Sequence, residues 1–368
     1  AGRTDTDIEK VEDADCHALI LVQMPLTGKS YDLARVMRLP LSVWPGRAGS
    51  DLNADGRHAL RLDEDYRDVS CRNGFYTSAG RDTGVGWTIM VRVMCIGTAT
   101  LDIINRVSSY PAEDSEVRAS AQSRRMGGNA ANTAVVLAQL GDQVFWVGNL
   151  AQSTDIIDQG FARHGVDASL AVRIPDAVTP TSYVLLSEAS GSRSIVHFRD
   201  LPEYRAEGFL KLDLRPFSWV HFEGRAIDQL LPMLSHVRGN CGLPVSLEVE
   251  KPRRGIEQLF GQAELLLFSR DYARAWGFSD APALLRSLPR GVLATCTWGA
   301  QGAWAIDHDG RLLHAAAPLL ESVVDTLGAG DVFNAAMVSA LGGGRELGQS
   351  LHAAVALASA QCTRAGLD

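Results

Sequence analysis

Residues 323–334 read Val-Val-Asp-Thr-Leu-Gly-Ala-Gly-Asp-Val-Phe-Asn, and this stretch restricts what the chain can build more than any other. Gly328, Ala329 and Gly330 have side chains small enough to let an anion approach the backbone closely. They precede Val-Phe-Asn-Ala-Ala-Met-Val-Ser-Ala-Leu at 332–341, which reads as a helix. Unpaired N–H groups at a helix start, together with the positive end of the helix dipole, make an anion site. Asp331 falls in that first turn with a carboxylate available for chemistry. An Asp there is also an ordinary helix cap. The full string Asp-Thr-Leu-Gly-Ala-Gly-Asp is far more specific than a cap requires.

The 368 residues suffice for one large domain or two modest ones, and a 46% hydrophobic content supports a sizeable core. A net charge of −8 argues against a nucleic-acid partner, which calls for a basic surface. No apolar run approaches the ~20 residues of a membrane span, and the N-terminus lacks the pattern of a signal peptide. The six cysteines are scattered without a Cys-x-x-Cys pair, so neither a disulfide framework nor a zinc site is expected. A reducing, cytoplasmic setting fits that usage.

Residues 1–90 differ in texture from the rest. Arg, Asp and Gly mix without period, and apolar pieces are short, such as Ala-Leu-Ile-Leu-Val-Gln-Met at 18–24. Such a segment buries too little apolar surface to fold alone. Pro-Leu-Thr-Gly-Lys-Ser at 25–30 suggests a P-loop, but that motif needs Gly at 23, where Gln stands. We expect a leader that lies outside the catalytic unit, with Met90 or Met94 as the natural start of the domain spanning 91–368.

From Val91 the pattern becomes regular. Val-Arg-Val-Met-Cys-Ile-Gly at 91–97 reads as a buried strand, and residues 101–107 read as its continuation. Asp102 then stands among apolar neighbours, where a carboxylate must be paired or must bind something polar. Asp114 follows a Pro turn, and residues 116–121 read as strand. Met-Gly-Gly-Asn-Ala-Ala-Asn at 126–132 opens a helix that Gly141 closes. Asn129 and Asn132, three apart, share a face of its first turn, and two amides there can meet several hydroxyl groups.

Residues 181–187 and 193–198 alternate around a Gly-containing loop and read as a hairpin. It interrupts a βα rhythm, so we read it, with residues 101–123, as a lid. Arg193 stands beside its turn. The rhythm resumes with strands at 218–224, 244–250, 263–269 and 291–298 and helices between them, implying a parallel sheet covered on both faces. Gly299-Ala300-Gln301-Gly302 follows a strand end, where open α/β sheets bind ligands. A second hairpin surrounds His308-Asp-Gly310. The histidines form no pair at ligand spacing.

Residues 91–368 resemble the phosphofructokinase-B (ribokinase-like) carbohydrate kinases, and within them the ketohexokinase branch. The branch-specific strings are Tyr-Pro-Ala-Glu-Asp-Ser-Glu at 110–116, Glu-Ala-Ser-Gly-Ser-Arg at 188–193, Phe-Glu-Gly-Arg at 222–225 and Glu-Val-Glu-Lys-Pro-Arg at 248–253. The resemblance implies a three-layer α/β/α sandwich with a small β-sheet lid that pairs with a second copy in a homodimer. It implies Asp102, Asp114, Gly128, Asn129 and Asn132 as sugar ligands. Arg193, Gly299, Ala300, Gln301 and Gly302 would serve ATP, Gly328, Ala329 and Gly330 would form the anion hole, and Asp331 would be the base.

Two departures accompany the likeness. Ser269-Arg-Asp-Tyr272 stands where many members carry Asn-x-x-Glu, a motif that orders magnesium, so Glu250 becomes the candidate metal carboxylate. The chain also stops a few residues before the family's usual end, which could leave the nucleotide pocket without part of its wall. The implied reaction is in-line transfer from ATP with Mg2+, and K+ as a further cation, onto a sugar hydroxyl. The alternatives are another sugar, sugar phosphate or nucleoside, or a non-catalytic sugar-binding regulator. No basic residue beyond Arg193 is evident in the pocket, which favours an uncharged sugar and leads us to expect D-fructose converted to fructose 1-phosphate.

Overall fold

Successive residues of a strand face opposite ways, and the strand Arg92–Ile96 uses both faces. Val93 and Cys95 point into one apolar cluster while Met94 and Ile96 point into another. The neighbouring strand Gln143–Val147 repeats this, with Val144 and Trp146 on one side and Phe145 and Val147 on the other. A strand apolar on both faces needs cover on both faces. Helices Asn129–Gln139, Ala329–Gly342 and Leu347–Gln361 close the first side, and Ile227–His236 with Ala281–Ser287 the second. The result is the expected α/β/α sandwich.

The computed structural model describes residues 90–367 and, ahead of them, the backbone of four short strands. Of these, His17–Ile20 pairs with Met37–Pro40, and Val69–Arg72 lies beside Phe75–Ser78. The chain divides into two compact units, residues 1–69 with 78–80, and residues 70–77 with 81–368. The expectations for the P-loop-like residues 25–30 and for order along the leader lie outside the described residues.

The main sheet has eight strands in the order Leu312–Ala315, Ala303–Ile306, Leu293–Thr297, Leu265–Phe268, Val245–Val249, Trp219–Glu223, Arg92–Ile96, Gln143–Val147. The last six run parallel, and the second expected hairpin forms an antiparallel edge. Gly302, at φ 89°, turns the chain into that edge, and a Cβ there would meet the Ala315 carbonyl oxygen at 2.0 Å. Only glycine fits both the backbone angle and the space.

The lid is a separate sheet of four strands, ordered Arg193–Phe198, Thr181–Ser187, Thr100–Val107, Ala121–Gly127. Two expectations are corrected here. Thr100–Val107 does not continue Arg92–Ile96. The chain turns at residues 97–99 and enters the lid, so Asp102 is the third residue of a lid strand. Residues 116–119 are not strand, and pairing resumes only at Ala121. The lid hairpin has the expected five-residue loop, residues 188–192, between Thr181–Ser187 and Arg193–Phe198.

Among the described residues, no helix is long and apolar enough to cross a membrane. Cys95, Cys241, Cys296 and Cys362 are free thiols.

Candidate active site

Parallel strands deliver their C-terminal ends to one edge of the sheet, and the site gathers there. Glu223 ends the strand Trp219–Glu223, and Glu248 stands one residue before the end of Val245–Val249. Both are buried. A buried carboxylate requires donors. Glu223 Oε2 accepts the Thr98 N–H and the Thr98 hydroxyl, each at 2.8 Å. Glu248 Oε1 accepts Asn129 Nδ2 at 3.0 Å and Asn334 Nδ2 at 3.1 Å. Asn129 also donates to Glu250 Oε2 at 3.2 Å.

The helix Ala329–Gly342 starts earlier than its apolar pattern suggested. Gly328 caps it at φ 83°, and Ala329 and Gly330 form its first turn rather than a loop before it. Asp331 is therefore the third helical residue, 7% exposed. Asn132 Nδ2 donates to Asp331 Oδ2 at 2.7 Å. Burial pushes the Asp331 carboxyl well above the ordinary carboxylate range. The Asn132 amide opposes this, and the charges of Glu250, Glu223 and Asp102 reinforce it. Burial likewise raises Glu248, with Asp331, Glu223 and Glu250 adding to the rise, and Glu223 is raised mainly by burial.

Gly128 is the cap of the helix that carries both asparagines, at φ 99°, and a Cβ there would lie 2.5 Å from the Thr98 carbonyl oxygen. Its place is set by that close approach. Asn129 and Asn132 were expected to face one ligand together. The structure sends Asn129 to Glu248 and Glu250 and Asn132 to Asp331, so each amide serves a different carboxylate.

Asp102 is buried, accepts the Thr100 hydroxyl at 2.9 Å, and lines a cleft of about 220 Å³ with Asn132 and Gly328. Asp114 is not brought there. It lies on an exposed loop at φ 56°, a left-handed turn that Asp tolerates. Arg193 reaches from the lid to the Thr326 hydroxyl at 2.7 Å. Gly299–Gln301 form a single 3-10 turn at the end of Leu293–Thr297, with Ala300 and Gln301 exposed. A larger hollow of about 370 Å³, around Pro202 and Gln229, shares none of these side chains.

Two further findings differ from expectation. Arg124 and Arg125 also line the cleft beside Asp102, so the pocket does carry basic residues. Both sit in the polar lid strand Ala121–Gly127. Glu223, Glu248 and Asn334 carry no role in the sequence reading, although an acid at the end of an apolar strand is a signal of its own.

Among the described residues, no three His, Cys, Asp or Glu side chains converge as a metal cage. His221 is an ordinary core residue on Ser246, and burial lowers it to about 4. Magnesium needs no full cage, because one or two carboxylates suffice when phosphate oxygens complete the shell. The Glu248 Oε2 atom, buried without a partner, and the half-exposed Glu250 are hard oxygen donors of that kind. Ser269, in the stretch lacking Asn-x-x-Glu, caps the helix Arg270–Ala275 and donates its hydroxyl to the Glu250 carbonyl at 2.5 Å.

Residues 90–368 match the family model described as pfkB family carbohydrate kinase. The chain belongs to the pfkB family of carbohydrate kinases. Mouse ketohexokinase is 37% identical over 291 residues, covering 75% of this chain and 98% of that protein. The ATP-dependent ribose-1-phosphate kinase of Halopiger xanaduensis is 26% identical over 68% of this chain and 84% of its own. Arabidopsis thaliana ribokinase, solved with ribose and ATP, matches with a TM-score of 0.60 at 20% identity, over 76% of this chain and 94% of its own. A ribokinase-like structure from Agrobacterium tumefaciens reaches 0.67 at 22% identity, over 75% and 92%. This chain is a sugar kinase of the ribokinase-like fold, and related kinases bind ATP.

Proposed function

We propose that this pfkB-family kinase transfers the γ-phosphoryl group of ATP to the C1 hydroxyl of D-fructose. The observation that carries the reading is Asp331, buried in the first turn of its helix and oriented by Asn132. Asp331 takes the hydroxyl proton as the sugar oxygen attacks phosphorus. The first-turn amides around Gly328, Ala329 and Gly330 face the charge that develops on the transferring group. Positioning and electrostatics then supply the rate, as in phosphoryl transfer generally. Asp102 and Asn132 hold the sugar. Arg193 and the 299–302 turn meet the nucleotide. Magnesium, held through Glu250 and Glu248, would neutralise charge on the phosphates.

Fructose is favoured by the likeness to mouse ketohexokinase, which spans almost all of that protein. A second reading, a sugar that already bears phosphate, is favoured by Arg124 and Arg125 in the cleft. The Halopiger relative is named for such a substrate.

A second copy docks on the lid in this proposal. Tyr183, Ile195, Val196 and Phe198 are exposed on the outer two lid strands, Val196 at 70%. We place the protein in the cytoplasm, in keeping with its free thiols, and place the leader outside the catalytic unit. A chain starting at Met90 should then keep full activity, and its failure to fold would make the leader structural.

The deciding experiment is a sugar panel with MgATP, run in K+ and in Na+ buffers, with phosphorus NMR of the product. Fructose 1-phosphate supports the first reading. A product from fructose 6-phosphate or ribose 1-phosphate, with fructose inert, supports the second. Sugar binding without any ADP would leave a non-catalytic binder.

A further inference from the structure

Arg125 stands on the lid strand Ala121–Gly127 directly opposite Asp102 on Thr100–Val107. Residues paired across antiparallel strands share a face, with Cβ atoms about 5 Å apart. The guanidinium nevertheless reaches beyond its own sheet. Its Nη2 donates to Asp325 Oδ2 at 3.1 Å, with the two side chains only 25% and 17% exposed. Asp325 opens the signature string, and its other oxygen, Oδ1, accepts the Leu327 N–H at 2.8 Å. That second bond closes the turn immediately before Gly328, the cap of the Asp331 helix. One carboxylate thus holds the lid with one oxygen and bends the loop with the other. Arg193 adds a parallel contact one residue on, to Thr326.

We propose that Arg125 is a positioning residue that couples the lid to the signature loop. The Arg125–Asp325 pair latches the lid and fixes the turn from which residues 328–330 depart. The seat for the transferring group is complete only while the lid is down. Transfer to sugar is thereby favoured over transfer to water, which enters when a lid is open.

This inference rests on the kinase reading above, and the test separates the two. Arg125→Ala, Arg125→Lys and Asp325→Asn are compared with the wild-type chain by kcat, by sugar phosphate formed per ATP consumed, and by backbone amide exchange. The exchange is followed along Thr100–Val107 and Thr181–Ser187, with fructose and a non-hydrolysable ATP analogue. Arg125→Ala and Asp325→Asn should lose roughly tenfold to a hundredfold in kcat, the worth of one charged hydrogen bond. They should also waste more ATP per sugar and lose lid protection, while the melting temperature falls by no more than a few degrees. Arg125→Lys should recover part of each.

Wild-type stoichiometry and wild-type lid protection in Arg125→Ala would overturn the latch and leave the kinase reading intact. ATP consumption by the wild-type chain that no sugar stimulates would overturn the kinase reading and the latch together. If Arg125→Ala does not fold, wild-type behaviour of both Arg125→Lys and Asp325→Asn is the overturning result.

Discussion

Asn132 and Asp331 stand 199 residues apart in the chain, and their side chains meet at 2.7 Å. The contact joins the first turns of two helices, so both helix starts face the same small volume. The amide donates to one carboxylate oxygen, and in the proposed mechanism the other receives the substrate hydroxyl. It also moderates the proton affinity that burial gives Asp331.

Asp331→Asn keeps the shape and removes the proton acceptor. We expect kcat to fall ~10²–10⁴-fold, the usual cost of losing a general base, with sugar affinity little changed. Stability should move the other way. A carboxyl raised in the fold favours the protonated state, and that benefit is lost as pH climbs from its unfolded value through its folded one. The Asn variant escapes the loss. Its melting temperature near pH 7 should equal or exceed the wild-type value, and a scan beside an activity assay reads both.

The acid limb of the kcat profile should lie above the ordinary carboxylate range, because the base must be ionised and burial raises it. Asn132→Leu removes the donor that lowers Asp331. The limb should move to still higher pH, with kcat at pH 7 falling more than kcat at pH 9. Parallel profiles for the two proteins would remove Asn132 from the role.

Gly127→Ala probes the sugar end. A Cβ at Gly127 would lie 2.1 Å from Asp102 Oδ2, so the short Asp102 side chain must swing away. Displacing one charged hydrogen-bond acceptor should raise the sugar KM roughly tenfold to a hundredfold and leave the ATP KM near its starting value. Equal effects on both substrates would point to a general distortion.

Val196→Asp with Phe198→Asp places charges on the exposed outer lid strand. Size-exclusion chromatography with light scattering should show a dimer for the wild-type chain and a monomer for the double variant. Dimers from both would move the interface elsewhere.

Much of the fold was readable because two periodicities were clean. The apolar strands around Met94 and Leu247, separated by helices, implied the parallel sheet, and Gly299–Gly302 fell at a strand end as expected. The lid was harder. Thr100–Val107 carries Leu, Ile, Ile and Val among Thr, Asp, Asn and Arg, and the short Gly-Thr-Ala turn at 97–99 leaves two apolar runs close enough to read as one strand.

The site divided along similar lines. Asp331 and the glycines are contiguous, so one string displayed them. Glu223, Glu248 and Asn334 meet only in space, and each alone resembles an ordinary polar residue. The two asparagines illustrate the limit of spacing. A separation of three places them on one helix face, but the carboxylates supplied by other strands and helices decide where each amide points. Asp114 shows the converse, a residue whose loop, not whose type, determines its position.

The sharing of Glu248 Oε1 between Asn129 and Asn334 has a consequence for biosynthesis. Its two donors lie 119 residues before it and 86 after it. Contacts of such long separation form late, after the loop-closure cost has been met. During translation the carboxylate on its strand has only the earlier amide available until the Asp331 helix emerges and docks. Asp331, the turn at Gly328–Gly330 and Glu248 therefore come together in a single late event.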